Sequence, residues 1–197
     1  YSEPMDSEVE RRPAPPLEVS RWFNTQAPVT LADLRGRVVV IEAFQMLCPG
    51  CVSQGLPQAQ RVRTAFPQTD LVVIGLHTVF EHHEAQGTVS ALAAFLHEYR
   101  IDFPVGIDAQ SGAGVPETMR AYRMQGTPTT ILIDRDGRLR LQEFGHLDDL
   151  RLGASIQALI GERDLATQAL GDAVAGSCDA TGCTVSEDAR ASTAAES

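Results

Sequence analysis

Cys48 and Cys51 enclose Pro49-Gly50, a spacing that sets two thiols about one helical turn apart. The residues before them, Val38 to Phe44, are almost all apolar and rich in β-branched side chains, which suits a buried strand. The residues after them, 49 to 66, read as a helix. A thiol where a strand hands over to a helix faces unpaired N–H groups and the positive end of the helix dipole. Both favour the thiolate, which is the nucleophile in disulfide exchange. Cys48 is therefore the expected nucleophile, and Cys51 the thiol that resolves the mixed disulfide. Structural zinc would need a second ligand pair. The remaining cysteines, Cys178 and Cys183, stand five positions apart in a polar stretch.

Cys178 and Cys183 invite a reading of their own. The short loop with Gly182 permits a local disulfide. The pair is read as a second redox couple that exchanges with Cys48 and Cys51, with a passive disulfide or two idle thiols as the alternatives. His77 closes a strand, and Glu81-His82-His83-Glu84 follows. Parallel strands end on one edge, so this loop is expected beside Cys48. His77 could stabilise a thiolate there. A solvated loop is expected in preference to a metal site, and no metal or other cofactor is assigned.

The elements that must position these groups follow from periodicity. Leu17 to Phe23 reads as a first strand, Leu31 to Leu34 as a short helical step closed by Gly36, and Val38 to Phe44 as a buried strand. In the helix from Pro49 to Phe66, Pro57 is expected to kink or interrupt the chain. Leu71 to Leu76 is a further buried strand. Val89 to Arg100 is a helix with Leu92, Phe95, Leu96 and Tyr99 on one stripe. Phe103 to Ile107, Pro116 to Arg123 and Thr129 to Ile133 read as strand, helix and strand. Asp136-Gly137 signals a hairpin into Arg138 to Phe144. The last helix starts near Asp148, with Leu152, Ile156, Leu159 and Ile160 inward. The order implies an α/β sheet between helices, parallel in one half and antiparallel in the other. Residues 1–16 read as an extended lead-in, 17–163 as the domain, and 164–197 as a weakly ordered tail, helical at first.

Charge and hydropathy exclude several classes of partner. The formal net charge is −10, and all 16 basic residues are arginine. A negative surface opposes nucleic acid and anionic membranes, which bind basic patches. No run approaches the roughly 18 apolar residues of a membrane span. The opening Tyr1-Ser2-Glu3-Pro4 has neither a basic leader nor an apolar core. A start at Met5 favours the cytoplasm; a mature periplasmic or secreted domain, its leader removed, is the alternative.

Three segments together resemble the TlpA-like/redoxin (AhpC/TSA-related) branch of the thioredoxin superfamily. They are Leu31 to Val40, Cys48-Pro49-Gly50-Cys51, and Gly126-Thr127-Pro128 through Asp134. The likeness runs over roughly residues 17–161. It implies a thioredoxin-like fold, with a mixed central sheet sandwiched by helices. It implies a cis peptide between Thr127 and Pro128, in a loop that faces the cysteines and pairs with an extended substrate. It also sets Glu42, six residues before Cys48, where thioredoxins keep a buried acid. With no lysine to neutralise it, a buried Glu42 should hold its proton to higher pH and exchange it with Cys51. A glutamate on a partly solvated strand face is the alternative.

Two departures stand out. Met46-Leu47 replaces the tryptophan usual before the motif, so the substrate platform of Met46, Leu47, Thr127 and Pro128 is aliphatic. Pro-Gly differs from common versions of the dipeptide, so the direction of electron flow does not carry over. The expected activity is thiol–disulfide exchange, most simply reduction of protein or small-molecule disulfides. Its partners are a thiol- or disulfide-bearing client and an upstream electron donor. Two rivals remain. A peroxidase of the peroxiredoxin type has Pro-x-x-x-Thr-x-x-Cys, where this chain has Ile41 and Gln45. A binding or metallochaperone module of the same fold has three residues between its cysteines, where this chain has two.

Overall fold

A computed structural model describes residues 12–112, 114–174, 177–179 and 182–184, with backbone alone from residue 163 onward. The strands are β1 (Val19–Phe23), β2 (Val38–Phe44), β3 (Leu71–His77), β4 (Val105–Asp108), β5 (Thr129–Ile133), β6 (Leu139–Phe144), β7 (Ser177–Asp179) and β8 (Gly182–Thr184). The helices are α1 (Leu56–Ala65), α2 (His83–Gln86), α3 (Val89–Glu98), α4 (Glu117–Ala121) and α5 (Asp149–Val174). The backbone falls into two units, residues 1–160 and 161–197. The first holds a six-stranded sheet of order β1-β4-β3-β2-β5-β6, and the second the two-stranded pair β7-β8. No helix among the described residues is long and apolar enough to cross a membrane.

β2 lies in the middle of the sheet because all seven of its residues are buried. It runs parallel to β3 and antiparallel to β5. Strand side chains alternate between faces, and this splits the core in two. Val38, Val40 and Phe44 join the cluster containing Cys51, Leu56, Ala59 and Ile156. Val39, Ile41 and Ala43 join Met119, Tyr122 and Ile131 on the other face. Parity puts Glu42 on the face that carries Cys51.

Several expectations need correction. The sheet is parallel only across β2, β3 and β4; β1 pairs antiparallel with β4, so both edges are antiparallel. The interruption in the helix after Cys48 comes before Pro57, as a π-turn over Cys51–Gly55. Pro57 follows directly: the helix runs on continuously from residue 49 to residue 65, and the Leu56 N–H bonds the Cys51 carbonyl five residues back. The widened turn is the interruption that accommodates a proline with no N–H to give. Tyr99 is 48% exposed and falls outside the buried stripe of α3, which Leu92 and Leu96 carry. Within the lead-in, Pro13 bridges Arg138, and the Tyr122 hydroxyl donates to the Pro15 carbonyl at 2.7 Å. Residues 12–15 therefore lie between the β5–β6 hairpin and Tyr122. The hairpin turns at Gly137, whose φ of +72° suits a residue without a Cβ. Helix α2 was missed because four residues give no periodicity to read.

Candidate active site

β2 ends at Phe44, and Gln45-Met46-Leu47 carry the chain to Cys48. The first helical bond runs from Val52 N–H to the Cys48 carbonyl at 3.1 Å, so Cys48 stands at the cap position. Its sulfur accepts the Cys51 N–H at 3.3 Å, as a capping side chain does. Cys48 is half-buried, Cys51 fully buried, and the two are not bridged. Burial, and the neighbouring Cys48, push the Cys51 thiol up to about 12. One sulfur is therefore presented to a partner, while the other is held back as a thiol.

The Thr127–Pro128 peptide is cis. The Cys48 thiol lies 3.4 Å from the Thr127 carbonyl oxygen, towards which it donates. The ring of Pro128 packs close to Gly50: a Cβ placed there would come within 3.4 Å of its Cδ. Leu47, 55% exposed, flanks the sulfur on the surface. Met46 does not join it. Its side chain is buried in the cluster that contains Cys51, so the aliphatic platform reduces to Leu47.

Glu42 is 2% exposed. Its Oε2 accepts the Thr130 hydroxyl at 2.9 Å, and its Oε1 has no partner. Desolvation raises its carboxyl to about 7, with the Thr130 bond opposing. The free oxygen fills space that Gly55 vacates: a Cβ there would stand 2.2 Å from Oε1 and 3.1 Å from Pro128 Cβ. The π-turn that begins at Cys51 thus ends on Glu42, beside the cis proline. Thr130 and Gly55 were missed in the sequence, since neither residue type signals chemistry by itself.

The loop after β3 does reach the turn before Cys48, but through amides. Gln86 Oε1 accepts the Leu47 N–H at 3.2 Å, and Gln86 Nε2 donates to Gln45 Oε1 at 2.9 Å. Gln45 and Gln86 are each 1% exposed. His77 lies in the core with its ring centroid 5.3 Å from that of Phe44, and its Nε2 has no partner. Burial lowers its pKa to about 4. His82 and His83 are exposed. Among the described residues no three potential ligands cluster around a metal position. Cys178 and Cys183 belong to the second unit.

The sequence profile of the AhpC/TSA family matches residues 11–142. The chain belongs to that family. Within it, the chain resembles proteins of the thioredoxin fold. A crystallised thioredoxin-like superfamily protein is 58% identical, with a TM-score of 0.74, covering 76% of this chain and 96% of that one. A thiol-disulfide isomerase from Corynebacterium glutamicum is 47% identical, with a TM-score of 0.71, covering 75% and 96%. Protein DipZ of Mycobacterium tuberculosis is 32% identical over 139 residues, which are 68% of this chain and 19% of DipZ. The chain thus spans about a fifth of that relative's length. The thiol-disulfide oxidoreductase ResA of Bacillus anthracis is 26% identical, over 59% of this chain and 60% of its own.

Proposed function

We propose that the chain reduces disulfides of protein or small-molecule clients through Cys48 and Cys51. The carrying observation is the asymmetry of the two sulfurs: Cys48 half-buried at the helix cap against the Thr127 carbonyl, Cys51 buried and held as a thiol. The Cys48 thiolate attacks the client disulfide, expels one client thiolate and forms a mixed disulfide. Cys51 then attacks Cys48 Sγ. The Cys48–Cys51 bond forms, the second client thiolate leaves, and two electrons have passed to the client.

A thiol held up to about 12 needs a base to take its proton before it can attack. Glu42 suits that task. It lies on the Cys51 face of β2, is raised to about 7, and keeps an unpartnered oxygen at the end of the turn that Cys51 begins. Thr127 and Leu47 offer the surface on which an extended client segment rests, and the buried Pro128 holds the Thr127 carbonyl beside Cys48.

The test is trapping. With a disulfide-bearing protein substrate, Cys51→Ser is expected to accumulate a mixed disulfide on Cys48, and Cys48→Ser to form none. Turnover by Cys51→Ser at the wild-type rate would overturn the mechanism. Direction is read from the reduction potential of the pair in a chain carrying Cys178→Ser and Cys183→Ser. A value towards roughly −270 mV supports a reductase; one near −120 mV reverses the electron flow.

A further inference from the structure

β7 and β8 form an antiparallel ladder of three rungs, joined by Ala180-Thr181. Ser177 pairs with Thr184, Cys178 with Cys183, and Asp179 with Gly182. The two cysteines of this unit therefore share the central rung. Residues directly opposite in an antiparallel ladder have Cα atoms about 4.5 or 5.5 Å apart, depending on the kind of rung. Disulfides accept Cα separations of about 4.4–6.8 Å but need Cβ atoms about 3.5–4.5 Å apart, which the closer, non-hydrogen-bonded kind of rung supplies. Rungs alternate, and with Asp179–Gly182 closing the two-residue connection as the hydrogen-bonded rung, Cys178–Cys183 is of that closer kind. Cross-strand partners also occupy the same face. A register slip of one residue would put the two positions on opposite faces. A two-residue connection brings a pair of residues five apart onto one rung, and Cys178 and Cys183 have that spacing.

We propose that Cys178 and Cys183 are a second dithiol–disulfide couple, closed as a bridge across the β7–β8 rung. Neither residue takes part in the chemistry assigned above to Cys48 and Cys51, and the proposal stands independently of it. The hairpin already brings the two positions together, so a bridge removes little chain freedom. It serves as a redox element rather than as a staple. The oxidant is a small disulfide of the glutathione class. One tail thiolate attacks it, breaks its S–S bond and forms a mixed disulfide, releasing one thiolate. The second tail thiolate attacks the mixed disulfide at the tail sulfur. The Cys178–Cys183 bond forms and the second small thiolate leaves. Two electrons pass from the pair to the oxidant, and the two protons of the cysteine thiols pass to the released thiolates.

The experiment uses the full wild-type chain. It is equilibrated with reduced and oxidised glutathione at graded ratios, alkylated, and digested with trypsin. Cleavage after Arg163 and Arg190 isolates Cys178 and Cys183 on peptide 164–190; cleavage after Arg37 and Arg61 isolates Cys48 and Cys51 on peptide 38–61. Peptide 164–190 is expected to change from doubly alkylated to unalkylated and two hydrogens lighter as the mixture becomes oxidising, and to revert on reduction. A peptide that stays doubly alkylated, ends with glutathione on its cysteines, or ends linked to another peptide overturns the proposal. Peptide 38–61 reports separately on Cys48 and Cys51, so the two readings fail or succeed independently.

Discussion

Thr130 and Glu42 are register partners across β5 and β2, and the Thr130 hydroxyl donates to the Glu42 carboxyl at 2.9 Å. Thr130 stands two residues after the cis proline, so one short segment presents a carbonyl to Cys48 and a hydroxyl to the buried acid. The cis-proline loop and the acid are thereby tied to one strand.

Glu42→Gln is expected to lower disulfide reduction by on the order of a hundredfold near neutral pH, the low end of the range for loss of a general base. It should also abolish the ionisation near pH 7 that Glu42 contributes to the rate profile. Thr130→Val removes the contact that opposes desolvation, so the same ionisation should move to higher pH. Rate against pH for the three proteins is the check. An unchanged profile in Glu42→Gln would end the proton-transfer role.

Two buried groups drive stability in opposite directions. The unfolded Glu42 carboxyl ionises near 4.5 and the folded one near about 7, so the folded state binds more protons between those values. Its contribution falls as pH rises through that interval, by on the order of 3 kcal/mol. His77 does the reverse: protonated near 6.5 when unfolded and near about 4 when folded, it costs stability as pH falls. Glu42→Gln should therefore gain on wild type as pH rises from 4.5 to 7, and His77→Leu as it falls from 6.5 to 4. Denaturant titrations at each pH give both differences.

Gly55→Ala forces a Cβ to 2.2 Å from Glu42 Oε1 and 3.1 Å from Pro128 Cβ. Overpacking of this kind costs about 1–3 kcal/mol. Glu42→Ala vacates the space, so the double variant should be more stable than the sum of the singles by about 1 kcal/mol or more. Additive effects in a double-mutant cycle would show that Gly55 does not make room for the acid.

Gln86→Leu leaves the Leu47 N–H without its acceptor and removes the Gln86 amide from Gln45 Oε1. Buried groups stripped of a partner cost about 1–3 kcal/mol. The expected result is a lowered melting temperature, with reduction of a small disulfide slowed less than that of a protein client. An unchanged melting temperature would show the amide network to be dispensable.

The placement of the two thiols was legible in the sequence because it depends on local order. Cys48-Pro49-Gly50-Cys51 behind a β-branched run specifies a thiol at a helix cap with its partner one turn on. The sheet was legible too, since Val38 to Phe44 and Leu71 to His77 have no polar face to turn to water. What the tertiary structure decided is what long-range packing controls. Met46 went into the core and Leu47 to the surface, because the turn after β2 is set by Gln86, 39 residues downstream. Glu42 became a high-pKa acid because β5 closed over it and Gly55 made room, and neither event leaves a periodic signal. Spacing put Cys178 and Cys183 within reach of one another, and strand pairing set them on one rung. Sequence spacing fixes neighbours along the chain; burial, and the pKa values that follow from it, exist only once distant segments exclude water together.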